Sequence, residues 1–388
     1  MLTLDPLSVA SSRDRQTSAP AVQMSHEEAI IECTRVIEHH SKSFAFAARL
    51  LPPKMRADVA VLYTWCRRVD DAIDESSPEE ARRQLSSLRR QLDDVYADEP
   101  SDRIQHDFVL RALRNVVERC HMPRHYHDEL LAGMKMDVEG VHFRDLDTLY
   151  LYCYRVASVV GLMMCHIMGV KTDRALNYAA HLGLAMQLTN ICRDVREDWG
   201  LGRLYLPAEL LKETQTAQDM RSTQQLSTLL AHEHRSHGER YGDQSLPESI
   251  RKPAQEVTTT LLNHADHSYQ LGYAGIAYLP WRPALAIHAA GMIYQDIGRV
   301  IRAQEADPLE ARAFTTKARK LWLTARVLGV RAIKMLGSAF TLRWLRSSTL
   351  RKPHRTLTFA EFHAELISNV PRHIVDRDDS SQATQTRG

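Results

Sequence analysis

An all-α, single-domain fold is predicted by three observations. Glycine (16) and proline (15) are sparse in a chain of 388 residues, apolar residues recur every three to four positions in most windows, and no run alternates apolar and polar residues between paired turn signals. With 44% hydrophobic residues the chain can bury a large core, and no composition shift marks an internal boundary. We therefore expect one helical domain over 26–345. A disordered segment, 1–25, precedes it, and an extension, 346–388, that is basic, then polar and partly disordered, follows it.

Taken in order, helices are expected over 26–40, 55–75, 79–97, 103–120, 123–138, 145–169, 172–199, 220–241, 248–273, 281–303 and 309–338. Punctuation supports these bounds: Pro52-Pro53 precedes the second helix, Pro78 opens the third, and Gly200 with Gly202 closes the seventh. Short connections favour antiparallel neighbours. No run reaches the roughly 18 uninterrupted apolar residues of a spanning helix. Val156 to Val170 comes nearest, but Ser158 and His166 interrupt it, and it reads as a buried helix. The N-terminal segment lacks the apolar stretch of a secretory signal.

Charge and cysteine usage narrow the function classes. Lys+Arg 50 against Asp+Glu 48 leaves a net charge of +2, which gives no reason to expect a nucleic-acid partner. The six cysteines (Cys33, Cys66, Cys120, Cys153, Cys165 and Cys192) form no Cys-x-x-Cys pair. They read as small buried hydrophobes in a reducing compartment, hence a cytoplasmic protein. Arg346 to Arg355 is basic enough to touch a membrane surface, although a solvated tail is the plainer reading.

Chemistry enters through two segments, Tyr63 to Asp74 and Gln187 to Asp198. On a helix, residues three or four apart share a face, so Tyr63, Arg67, Asp70 and Asp74 form one stripe. Gln187, Asn190, Asp194 and Asp198 form another. A single such cluster could be solvated acid. Here the preceding residues are apolar, among them Val59, Leu62, Trp65 and Val69 before the first and Leu184, Leu188 and Ile191 before the second. Carboxylates at the ends of buried helices need cationic partners, and the nearby Arg67, Arg68, Arg193 and Arg203 are too few. Mg²⁺, with Mn²⁺ as the alternative, is the simplest partner. His40, Ser43, the Gly202 to Tyr205 turn and the stretch Arg312 to Lys320 offer donors for phosphate oxygens, with no Walker-type glycine loop. A metal-chelated diphosphate whose bond to an allylic carbon ionises fits these groups, and the cation formed needs a dry apolar chamber. Val156 to Val170 and Leu271 to Leu285, the latter with nearby Tyr273, Tyr278 and Trp281, are candidate walls, although each alone would pass for ordinary core.

At these residues the sequence resembles the squalene and phytoene synthase family, from about Ile30 to Leu345. The resemblance is carried by both acidic segments, His40 to Phe44, Gly133 to Asp137, Tyr152 to Gly161 and Gly202 to Pro207, in the family's order. It implies the all-α isoprenoid synthase fold, with a central cavity between two Asp-rich helices. It also implies head-to-head joining of two prenyl diphosphates through a cyclopropylcarbinyl diphosphate. Asp70, Asp74, Asn190, Asp194 and Asp198 match metal-ligand positions. Arg67, Arg203, Tyr294, Arg312 and Lys320 match diphosphate-holding positions, whereas Tyr63, Tyr152 and Tyr205 match positions near the reacting carbons. Asp71, one step off the stripe, supports from behind.

Within the family, the resemblance is closest to bacterial enzymes making a C40 product from geranylgeranyl diphosphate. Relatives that take C15 substrates tend to place large aromatic residues where this chain has Ala48 and Ala60. These two, with Ala157, Val160, Gly161 and Met164, are assigned to the prenyl tunnel. The alternatives are a C30 synthase using farnesyl diphosphate and a non-catalytic relative acting in assembly. The C40 reaction ends by proton loss, so no NADPH is expected. A hydrocarbon product implies peripheral membrane contact, and the oligomeric state is not legible.

Overall fold

A computed structural model describes residues 24–170, 172–213, 248–307, 313–338 and 356–369. The helices are α1 (His26–His40), α2 (Lys42–Ala48), α3 (Pro53–Asp74), α4 (Pro78–Tyr96), α5 (Asp102–His106), α6 (Phe108–Cys120), α7 (Arg124–Glu139), α8 (Leu146–Cys153), α9 (Val159–Ile167), α10 (Arg174–Gly200), α11 (Ala208–Glu213), α12 (Glu248–Ala274), α13 (Trp281–Ala303), α14 (Lys317–Ser338) and α15 (Phe359–Asn369). No strand occurs among the described residues. The expected helix 220–241, the basic stretch Arg346 to Arg355 and residues 1–23 lie outside them.

Local chemistry explains where the structure departs from the expected bounds. The helix expected over 103–120 breaks at Asp107, whose carboxylate accepts the backbone N–H groups of Val109 and Leu110 at 2.9 and 3.1 Å and so starts α6 anew. Ser41 divides α1 from α2 in the same way. It ends the first helix, and its hydroxyl accepts the Phe44 N–H at 3.3 Å to open the second. The helix expected over 145–169 contains a π turn, Tyr154–Ser158, between α8 and α9. The last long helix starts at Lys317 rather than at 309, where Thr316 accepts the Arg319 N–H. Helix α15 was not expected. It lies in the segment assigned to the C-terminal extension, yet it buries Phe362 completely.

Helix α10 is central, packing against α8, the π turn, α9, α12 and α13. Helix α3 packs against α1, α4, α6, α7 and α9. Leu184, Ala185 and Leu188 on α10, like Val61, Trp65 and Val69 on α3, are wholly buried, which supplies the apolar burial that drives assembly. Leu146–Ile167 is long and apolar enough to cross a membrane by length and composition. Its Tyr154, Val159, Leu162 and Met163 are fully buried, and the segment serves here as core. The six cysteines are free, five of them buried.

Candidate active site

A cavity of about 330 Å³ lies between α3 and α10. Along α3 its wall is the stripe Val59, Leu62, Tyr63, Cys66 and Asp70, about 16 Å of helix at 1.5 Å per residue. On α10 the lining residues run from Ala175 to Gln187 and Asn190. Asp70 is the last lining residue on one helix and Asn190 the last on the other, so both helices carry their polar ends to one mouth. The rest is almost wholly apolar. Helix α2 contributes Phe44, Ala47 and Ala48, and α9 contributes Val160, Gly161 and Met164. Ala157 of the π turn and Tyr294 of α13 complete this part of the wall. Phe44 stacks on Tyr294 with ring centroids 5.1 Å apart and meets Tyr63 edge-on at 6.3 Å.

Two elements of the expected chamber are corrected. Ala60 is 1% exposed but does not line the cavity. At about 100° per residue it falls off the Val59–Tyr63–Asp70 face, and its carbonyl accepts the Thr64 hydroxyl on the side where Thr64 meets Cys33 of α1. The aromatic residues Tyr273, Tyr278 and Trp281 do not line it either. Tyr273 donates to Gln295 at 3.0 Å, Tyr278 stacks on Tyr178, and Trp281 is 62% exposed. Their segment instead provides Gly272, Gly275, Ile276 and Leu279, and the aromatic surface comes from Phe44, Tyr63 and Tyr294.

Arginines hold the carboxylates of both stripes. Arg203 donates to Asp74 at 2.8 Å, Arg67 pairs with Asp71, and Arg193 grips both oxygens of Asp194. Gly202, at φ +75°, allows the tight turn after α10 that brings the Arg203 N–H back to the Asp198 carbonyl at 2.9 Å. Burial, with Asp74 beside it, pushes Asp70 up to about 7. Burial and the neighbouring Asp194 hold Asp198 well above the ordinary carboxylate range. Among the described residues no three acidic or imidazole side chains converge on a single point. Arginines paired with Asp71, Asp74 and Asp194 offset the mutual repulsion of these acids. The donor set still suits a hard divalent cation. Four carboxylates are joined by Asn190, whose buried Oδ1 has no hydrogen-bond partner, and a metal would relieve the penalty on Asp70 and Asp198.

Outside the cavity wall, in a small separate pocket that it lines with Arg203 and Tyr205, lies an acid to which sequence reasoning assigned no role; Tyr152 and Tyr205, expected near the reacting carbons, join it there and do not line the cavity. Asp137 of α7 accepts from Tyr205 at 2.8 Å and from Tyr152 at 3.0 Å, with the two tyrosine rings stacked at 4.9 Å. Burial pushes Asp137 up to about 6, opposed by Arg203 and both tyrosines. Burial also raises all three site tyrosines, Tyr63 to about 12, so near neutral pH they are phenols that donate hydrogen bonds. A lone acid on an amphipathic helix looks solvated in sequence. Only its place in the Gly133 to Asp137 segment hinted otherwise.

Of the expected phosphate donors, Ser43 and Lys320 meet directly, the ammonium donating to the hydroxyl at 2.8 Å. Burial lowers the Lys320 pKa, with a smaller effect from Lys42. Arg67 has a buried Nε without an acceptor. His40 is exposed at the end of α1, its ring against His39, and is not brought into the cavity wall. Arg312 lies outside the described residues.

The sequence profile of the squalene/phytoene synthase family matches residues 37–320. The chain belongs to the squalene/phytoene synthase family. Among relatives of this squalene/phytoene synthase, the phytoene synthase of Rhodobacter capsulatus is 37% identical over 294 residues, covering 76% of this chain and 79% of its own. The 15-cis-phytoene synthase of a Paracoccus species is 36% identical over 298 residues, covering 76% and 89%. The crystal structure of a dehydrosqualene synthase superposes with a TM-score of 0.64 at 26% identity, over 79% of this chain and 98% of that one. A squalene synthase from Alicyclobacillus acidocaldarius, with a TM-score of 0.59 at 21% identity over 73% and 97%, shares the fold.

Proposed function

We propose that this squalene/phytoene synthase joins two geranylgeranyl diphosphates head to head (1'-1), by way of prephytoene diphosphate, to make phytoene for carotenoid biosynthesis. The observation that carries the reading is the cavity itself, a long apolar chamber whose only acidic lining residue among those described is Asp70, with Asn190 and Gln187 also in the lining. Asp70, Asp74, Asn190, Asp194 and Asp198 would hold Mg²⁺, or Mn²⁺ in its place, which neutralises the diphosphate as a leaving group. Arg67, Arg203, Lys320 and the Ser43 hydroxyl position the diphosphate oxygens. Tyr63, Phe44 and Tyr294 present ring faces to an allylic cation, while the Asp137-anchored pair Tyr152 and Tyr205 orients the reacting end. The reaction closes by proton loss and calls for no reductant. Relatives named phytoene synthase, 33 to 37% identical, favour the C40 reading over a C30 synthase, and intact acidic segments favour an enzyme over an assembly protein.

Competition between the C20 and C15 diphosphates, with product identification, tests the substrate. We expect phytoene from the C20 substrate without NADPH, and consumption of farnesyl diphosphate alone would overturn the C40 reading. Because Ala48 lines the cavity beside Phe44, Ala48→Phe should shorten the chamber and lower kcat/KM for C20 by about ten- to a hundred-fold relative to C15. Ala60→Phe should disturb the packing of α1 on α3 instead.

The reading also calls for a bilayer to receive the hydrocarbon, on the cytoplasmic side. We assign the docking face to α14 and the turn before it. Phe314, Leu321, Trp322 and Leu328 are 71, 61, 50 and 47% exposed, Arg319 and Arg326 lie over the Trp322 ring, and Lys317 to Ser338 contains no Asp or Glu. Basic and aromatic residues on one exposed face suit an anionic lipid surface. The same helix carries Lys320, which donates to Ser43 next to the cavity-lining Phe44. Sedimentation with vesicles of anionic lipid should capture the protein, and Leu321→Ser with Trp322→Ser should release it while leaving turnover of detergent-dispersed substrate intact; equal capture of the variant would remove the assignment.

A further inference from the structure

Residues 356–369 lie beyond the segment matched by the family profile, yet they are built into the core. Leu357, Phe362 and Leu366 are 3, 0 and 2% exposed. The Leu357 carbonyl accepts the Tyr154 hydroxyl, and its N–H donates to Tyr126 at 3.3 Å. Phe362 stacks on Tyr154 at 5.8 Å and meets His181 edge-on at 4.9 Å. His363 contacts Asp147 at 3.0 Å, and Asn177 donates to Glu365. The anchors therefore come from α7, α8, the π turn and α10.

Tyr154 is the first residue of the π turn and is fully buried outside the cavity lining, whereas Val156 and Ala157, in the same turn, form the wall. A π turn carries one residue more than the α-helix it interrupts. If it relaxed to an α-helix, the following helix would shift register by one residue, about 100°, and turn Val160, Gly161 and Met164 off the wall. The geometry points to a strap: we propose that residues 356–366 hold the π turn in register, making Tyr154, Leu357 and Phe362 positioning residues for the prenyl chain. The proposal rests on reading the cavity as the prenyl site, and it concerns substrate fit rather than ionisation.

The test uses the full chain with Phe362→Ser, Phe362→Leu and Tyr154→Phe, measuring backbone hydrogen exchange over 154–164 beside steady-state kinetics on geranylgeranyl diphosphate. With Phe362→Ser we expect exchange in that segment to rise about ten-fold or more, and KM to rise about ten-fold with kcat within about three-fold of the parent. Phe362→Leu should restore both. Should Phe362→Ser fail to fold, Tyr154→Phe decides, since it keeps the ring stack and removes only the hydroxyl that reaches the Leu357 carbonyl. Unchanged exchange and unchanged KM in the folded variants would overturn the strap, as would a loss confined to kcat. Faster exchange in a protein that turns over neither prenyl diphosphate would overturn the prenyl reading while supporting the strap.

Discussion

Asp70→Asn, assayed at saturating Mg²⁺, should lose turnover by about 10³-fold or more, equivalent to about 4 kcal/mol of transition-state stabilisation. Asp194→Asn should behave alike. The substitution keeps the size of the side chain and removes a charge from the cavity lining, to which Asn190 also belongs, so the loss reports on charge. Near-normal turnover in both variants would sink the metal-cluster mechanism. The same variant carries a stability prediction of opposite sign. Asp70 has its pKa raised from 3.8 to about 7 in the folded protein, so between those values the folded state binds a proton that the unfolded chain has lost. Its contribution is full below about pH 4 and disappears as pH rises through about 7. Metal-free protein should therefore melt at lower temperature at pH 8 than at pH 5. Asp70→Asn should melt higher than the parent at pH 8, by an amount on the order of a few kcal/mol at most, with the difference closing below about pH 4. Thermal melts in chelator across that range, repeated with Mg²⁺ added, measure both effects. A variant less stable than the parent at pH 8 would argue against a strained, buried carboxylate.

Gly183→Ala should be a damaging small change in the cavity wall. A Cβ at that position of α10 would lie 2.6 Å from the Ser158 Cα and 2.7 Å from the Ala157 carbonyl oxygen, and neither backbone atom can swing aside. The only relief is to part α10 from the π turn, which also breaks the 2.8 Å bond from the Ser158 hydroxyl to the Ala180 carbonyl. Overpacking of this kind costs about 1–3 kcal/mol and sometimes more. Because Ala157 and Gly183 both line the cavity, C20 binding should weaken together with stability. Melting temperature and KM, measured on the same preparation, check this, and a variant with the parent's values for both would show that the two segments are not held in close contact.

Legibility differs between the two halves of the site. The acidic end was readable because a helix converts spacing into direction. Asp70 with Asp74, and Asn190 with Asp194 and Asp198, had to share faces once the apolar flanks made the helices certain. The prenyl end was not, because which face of a buried helix meets a void depends on its neighbours. Ala60 and Ala48 are both small, buried alanines; only the position of α1 sends one into packing and leaves the other on the wall. Tyr273 and Trp281 read as chamber aromatics for the same reason, yet one is tied to Gln295 and the other faces outward. Asp137 stayed hidden because its partners, Tyr152 and Tyr205, are 15 and 68 positions away.

The sequence by itself determined the all-α architecture, the family and the acidic faces of α3 and α10, since these follow from local periodicity and from residues within a turn of one another. Tertiary structure alone decided which side chains bound the cavity and how arginines share the carboxylates. It also decided that α15, distant in sequence and outside the matched segment, closes over the back of the π turn. Those features depend on contacts between elements far apart in the chain, whose register is set by packing shape rather than by any local preference.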